Sequence, residues 1–199
     1  MQTKLDRSFY ERDATTVAKE LLGKYLVFEP PNLRLAGRIV ETEAYLGEKD
    51  MASHAFHGRT RRTEVMFGAG GHAYVYFTYG MHWLLNVVTG TEGTAEAVLL
   101  RALEPAEGIE EMTVNRGGRS SRLLTSGPAR ITRAFGIDGA LNGVDLCGDL
   151  LWIEDRGERI KPPQIVATKR IGVAYAKAWK DKRLRFCLAG SEFVSRPRL

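Results

Sequence analysis

The stretch Leu35-Ala36-Gly37-Arg38-Ile39-Val40-Glu41-Thr42-Glu43-Ala44-Tyr45 decides how this chain is read. It forms one long strand, because its apolar residues recur with the two-residue period of a pleated backbone and no proline interrupts it. Side chains of a strand alternate between faces, so Ile39, Glu41, Glu43 and Tyr45 point one way and Val40, Thr42 and Ala44 the other. Two carboxylates and a tyrosine on one face leave two options, a solvated surface or a site.

Upstream, Tyr25 to Phe28 is a short apolar strand joined to this one by the Pro30-Pro31-Asn32 turn. Before it, Asp13 can cap a helix whose Ala14, Val17, Ala18, Leu21 and Leu22 share one face, and Gly23 can end it. Downstream, residues 47–72 form a long loop rich in Gly, His, Arg and Met, of the kind that is either functional or disordered. Ala73 to Tyr79 and Trp83 to Thr89 then read as a hairpin turning at Gly80-Met81. A strand from about Ala97 to Leu103 follows, with Pro105 opening a helix that runs to about Val114.

Asn115 to Leu123 reads as a mobile basic loop with Arg116, Arg119 and Arg122. Ser126-Gly127-Pro128 starts a helix through Phe135 that stops at Gly136, and its N-terminus could face a phosphate. Strands near Leu150 to Glu154, Val166 to Val173 and Leu184 to Leu188 complete the chain, while Tyr175 to Lys182 fits no element. Strands outnumber helices without alternating with them. The expected fold is therefore α+β: a single mixed domain over residues 1–199, with a curved, largely antiparallel sheet, surrounding helices and a protruding β-hairpin.

Composition narrows the function. The content of 44% hydrophobic and 27% charged residues is that of an ordinary globular protein, and a net charge of +5 suits a polyanionic partner without requiring one. No uncharged apolar run approaches the ~20 residues of a bilayer span. The expectation is an intracellular, cytoplasmic protein without a membrane partner, nucleoid-associated if bacterial. Cys147 and Cys187 stand far apart with no neighbouring Cys or His at ligand spacing, so neither a disulfide framework, a metal site nor a cofactor is expected.

Hydrolysis of a glycosidic bond needs a carboxylate that deprotonates water and steadies the charge developing on the sugar. Glu41 and Glu43 are the candidates, although a glutamate pair on a strand more often faces solvent. Glu43 keeps suggestive company: Tyr45 on its own face, a loop with His54 and His57, then Tyr74 and Tyr76 on one face of the next strand, with Tyr79 at its tip. Strand aromatics usually belong to a core, yet a base drawn out of a duplex needs π-faces on both sides. A positively charged purine would gain further from such rings. Tyr79, beside the turn, suits a wedge that fills the hole left in a base stack, its alternative being a tyrosine packed back on the sheet.

Several ordered blocks resemble the alkyladenine (3-methyladenine, or methylpurine) DNA glycosylase family. They are Gly37 to Gly47, His54, Tyr74-Val75-Tyr76, Tyr79-Gly80-Met81, Asn86, Leu99 to Pro105 and Ser126-Gly127-Pro128, with the likeness running from Leu21-Leu22-Gly23 to Val194-Ser195. The resemblance implies a monofunctional base-excision-repair enzyme acting as a monomer on double-stranded DNA that contains a damaged purine. The implied substrates are 3-methyladenine and 7-methylguanine, with hypoxanthine and ethenoadenine as slower ones.

Carried over by position, the resemblance makes Glu43 the general base, with Arg101 holding the water and the adjacent phosphate. Tyr45 stacks on one face of the everted base, and His54 and Tyr76 lie on the other. Asn86 sits where the 2-amino group of guanine would collide. Tyr79 intercalates, with Met81, His82 and Tyr74 grouped at the groove. Two positions depart from the pattern: His82 replaces the tyrosine of human-like members, and Arg62-Thr63 replaces Arg-Asn. The rival readings are a bifunctional glycosylase with a lysine nucleophile and a non-catalytic damaged-DNA or RNA binding module.

Overall fold

The computed structural model describes residues 2–118 and 121–195, and its strands join one nine-stranded antiparallel sheet. A short strand β1 (Thr3–Lys4) and a single helical turn α1 (Arg7–Tyr10) precede α2 (Ala14–Glu20), which Asp13 caps by accepting a hydrogen bond from the Thr16 amide. Then come β2 (Tyr25–Phe28), β3 (Leu35–Tyr45), β4 (Ala73–Thr78), β5 (His82–Thr89) and β6 (Glu96–Glu107). Helices α3 (Ile109–Asn115), α4 (Ser121–Leu124) and α5 (Pro128–Phe135) follow, and β7 (Leu151–Asp155), β8 (Ile165–Thr168) and β9 (Arg185–Leu188) close the sheet.

The sheet runs β1-β7-β2-β3-β6-β5-β4, and β3 is its hub. One edge of β3 pairs with β6 along its length, while the other pairs first with β2 and then, at Glu41 to Glu43, with β9. The sheet curls around the main core, where α2 and α5 pack Val17, Ala18, Ile131 and Phe135 against Val40, Ala44, Leu100 and Leu103. The Thr42 hydroxyl donates to the Ala18 carbonyl at 2.8 Å, tying α2 to β3.

Two irregularities in the β3/β6 ladder shape the site. Ile39 pairs with Leu103 and Glu41 with Ala102, so Val40 is an extra residue on β3; Thr42 pairs with Leu100, so Arg101 is an extra residue on β6. A bulge bends a strand and re-aims its side chains. The simple alternation expected for β3 accordingly fails at Ile39, which joins Val40 in the main core instead of sharing the face of Glu41 and Glu43.

Other expectations need correcting. Pro105 does not open a helix: β6 continues through it to Glu107, pairing with Ala36 and Gly37, and α3 begins only after Gly108. The 47–72 loop is ordered by three 3-10 turns, at Gly47–Lys49, His54–His57 and Glu64–Phe67, over a second apolar cluster. Gly47 is required at its start, since φ is +65° and a Cβ would lie 2.4 Å from the Thr94 carbonyl oxygen. In the basic stretch, Arg119 and the side chain of Arg122 lie outside the described residues, while Ser121–Leu124 is helical. The strand expected to reach Val173 stops at Thr168, and Lys177–Asp181 forms a further 3-10 turn. Among the described residues no helix is long and apolar enough to cross a membrane.

Candidate active site

The site grows from the two glutamates of β3. Both are fully buried, and their partners set them apart. Glu41 accepts hydrogen bonds from Arg101 Nε, Arg185 Nε, the Ser195 amide and the Ser195 hydroxyl. Three of these donors share Oε1 and the Ser195 amide takes Oε2, so protein groups hold both oxygens of Glu41. Glu43 accepts from the Tyr45 hydroxyl at 2.8 Å, the Ile171 amide at 2.7 Å and Arg101 Nη1 at 3.3 Å. Tyr45 and Arg101 share its Oε2, and the Ile171 amide holds its Oε1.

Arg101, the bulged residue of β6, spans the pair with one guanidinium. Burial works against its charge, but Glu43 and Glu41 outweigh that and hold it protonated. Burial, and then the Glu43 carboxylate, push the Tyr45 hydroxyl well above its ordinary range, so it remains a donor. Behind the Tyr45 ring lies the guanidinium of Arg170, 4.7 Å from its centroid. Arg170 is fixed by the buried carboxylate of Asp50 and donates to the Ala44 carbonyl.

Beside this cluster opens a cleft of about 820 Å³. Glu43 is not part of its wall; it sits one layer behind, and its three donors Tyr45, Arg101 and Ile171 all line the cleft. His54 and Tyr76 form another part of the wall, with ring centroids 4.5 Å apart at 73°. His54 Nδ1 lies 3.0 Å from the Tyr74 hydroxyl. Burial, with Arg62 adding to it, brings the His54 imidazole down to about 4, so the ring is neutral near pH 7. Tyr74, grouped with the groove contacts on the sequence, lines the cleft with only 2% of its surface exposed, and its ring centroid lies 5.3 Å from that of Tyr76 in the second cluster.

Asn86 lies opposite Tyr74 on β5, also borders the cleft, and donates to the Tyr74 carbonyl at 3.2 Å. At the mouth, Thr78 pairs with His82 and the connection is Tyr79-Gly80-Met81. Tyr79 adopts φ +52° and is 79% exposed, Met81 is 70% exposed, and Tyr79 and His82 line the cleft. Ser126 to Arg130, the start of α5, form a further wall. No group of three or more His, Cys, Asp or Glu could hold a metal ion among the described residues.

Sequence reasoning brought most of these residues together but missed several. Ile171 acts through a backbone amide, which leaves no mark in residue type. Arg170 and Asp50 are an ion pair 120 positions apart, and nothing local announces it. Ser195, which donates twice to Glu41 and lines the cleft, stood at the end of the recognisable blocks without a role.

Residues 8–192 match the family model described as Methylpurine-DNA glycosylase (MPG). Curated relatives named "Putative 3-methyladenine DNA glycosylase" are similar over nearly their whole lengths. The relative from Carboxydothermus hydrogenoformans is 53% identical over 192 residues, covering 96% of this chain and 98% of its own. Those from Desulfitobacterium hafniense and Methanoculleus marisnigri are 47% and 49% identical, each covering 96% of this chain and 98% of its own.

Proposed function

Because the chain belongs to the methylpurine-DNA glycosylase family, we propose that it draws an alkylated purine out of duplex DNA into the aromatic cleft and hydrolyses its N-glycosidic bond with water activated by Glu43. It is a DNA glycosylase, and its work is the repair of damaged DNA. The observation that carries the catalytic assignment is the contrast between the two glutamates. Glu41 is tied by four protein donor atoms, one of them on Arg185 away from the cleft, whereas Glu43 is held by three, and the residues that supply them all line the cleft.

In this reading water reaches Glu43 between Tyr45, Arg101 and Ile171, the donors that line the cleft. The water oxygen bonds to C1′ of the sugar, its proton passes to the carboxylate, and the C1′–N bond breaks with its electron pair going to the base. A purine methylated at N3 or N7 carries a positive charge that this electron pair cancels, so it leaves without a proton donor. A neutral purine such as hypoxanthine needs protonation as well, which makes it the slower substrate. Tyr45 covers one face of the base and His54 with Tyr76 the other, while the Asn86 amide rejects guanine by crowding its 2-amino group. Tyr79, held at the hairpin tip, enters the gap left in the stack, with Met81 and His82 beside it in the groove.

No lysine is found among the described residues that line the cleft, which favours a water nucleophile over a lysine Schiff base. Methylated duplex DNA incubated with the protein tests the reading. Free 3-methyladenine and 7-methylguanine should appear, with no adduct trapped by borohydride; unreleased bases, or a trapped adduct, would overturn it.

A further inference from the structure

Among the described residues, three exposed large apolar or aromatic side chains line the cleft: Tyr79, Leu123 and Tyr175. Tyr175 belongs neither to the hairpin nor to the shell around Glu43, yet it is 65% exposed at the mouth. It is not loose. Its hydroxyl donates to the Ala52 carbonyl at 3.2 Å, and its neighbours Val173 and Ala176 are buried in a small cluster with Ala52. The segment is also bound from within, since the Ala176 amide donates to Val173, the Trp179 amide to Ala176, and Arg170 to the Trp179 carbonyl. The fold thus holds an aromatic ring in water on a rigid support.

Two residues on, Lys177 is exposed and adopts φ +45°. The left-handed region crowds a residue that bears a Cβ, and glycine or asparagine would meet it more cheaply. Four described non-glycine residues adopt positive φ, and one of them, Tyr79 at the hairpin tip, lines the cleft. Neither Lys177 nor Lys180, one turn further along, makes an ion pair or a side-chain hydrogen bond among the described residues. A strained lysine with no protein partner, beside a tethered aromatic at the rim of a DNA-processing cleft, calls for an anionic and stackable partner.

We infer that Tyr175, Lys177 and Lys180 form a second DNA-contact ridge, distinct from the hairpin, that grips the strand carrying the everted nucleotide. This rests on the functional reading above. Tyr175 stacks on a flanking base or its sugar, and the two lysines meet the adjoining phosphates. The chemistry needs no sequence preference, because every base has a π-face and every nucleotide a phosphate.

The test uses the full chain and a labelled duplex bearing a tetrahydrofuran abasic analogue, titrated at several salt concentrations. Tyr175→Ala should weaken binding about ten-fold, a stacking-sized loss, and Tyr175→Phe should restore it to within about three-fold of wild type. Lys177→Gly should reduce the slope of log K against log salt by about 0.9, the value for one phosphate, while raising the thermal midpoint by relieving the backbone. Loss of affinity together with gain of stability is the signature that a merely structural lysine would not give. Wild-type affinity and salt slope in both Tyr175→Ala and Lys177→Gly would overturn the ridge. A wild-type chain that released no methylated purine would instead overturn the functional reading, and the binding titrations would still decide the ridge.

Discussion

The hydroxyl of Tyr45 donates a hydrogen bond of 2.8 Å to Oε2 of Glu43, two residues before it on the same strand. The ring proposed to stack on the base is therefore also a support of the proposed catalytic carboxylate. The two duties separate by mutation. Tyr45→Phe keeps the π-face and removes the donor, leaving Oε2 with only the longer Arg101 contact, so single-turnover excision should slow by roughly ten-fold, the size of a hydrogen bond to a charged group. Tyr45→Ala should lose the stacking face too and bind lesion DNA roughly ten-fold more weakly than Tyr45→Phe. Equal binding by the two variants would mean that the ring adds nothing by stacking, and wild-type excision by Tyr45→Phe would mean that the hydroxyl contact carries no catalytic weight.

The Arg170–Asp50 pair is fully buried, with Asp50 also accepting from the Leu46 and Ala52 amides. Removing one member strands a buried charge. Arg170→Met should destabilise the protein by about 3–5 kcal/mol, and adding Asp50→Asn should recover part of that loss. Urea unfolding of the single and double variants checks both values; a single variant as stable as wild type would show that the pair contributes nothing.

His54 gives the fold a pH signature. Its pKa falls from an ordinary 6.5 to about 4, through burial first and Arg62 second. Between those two values the unfolded chain binds a proton that the native state refuses, so stability falls as pH is lowered from about 6.5 towards 4. Unfolding midpoints of His54→Gln should depend less on pH in this window than those of wild type. Parallel curves for the two proteins would contradict the buried neutral imidazole.

Asn86 is held by its bond to the Tyr74 carbonyl, so its amide cannot swing aside for a bulkier base. Asn86→Ala should raise the release of normal guanine from undamaged duplex DNA while 3-methyladenine release continues. Chromatography of released bases measures both. Guanine release unchanged from wild type would remove Asn86 from discrimination.

The fold and the site were legible in the sequence to different degrees. β3 is an uninterrupted strand bounded by turns, and its limits were read correctly at Leu35 and Tyr45. The bulges at Val40 and Arg101 were not, because they arise from the match between two strands and not from either alone. Pro105 misled for a related reason: proline is tolerated near the end of a strand as well as at a helix start, and only the pairing with Gly37 decides between them. The residues around the cleft were gathered largely through their family resemblance. The distinction between Glu41 and Glu43 was invisible in their identical side chains and emerged from partners as far away as Ser195 and Ile171.

The central claim is that Glu43 activates the water. Single-turnover release of 7-methylguanine by Glu43→Gln, at enzyme concentrations that saturate the DNA, measures it most directly. The account predicts a rate about 10²–10⁴-fold below wild type with DNA binding retained, the range for loss of a general base. Release at the wild-type rate by a folded Glu43→Gln protein would contradict it.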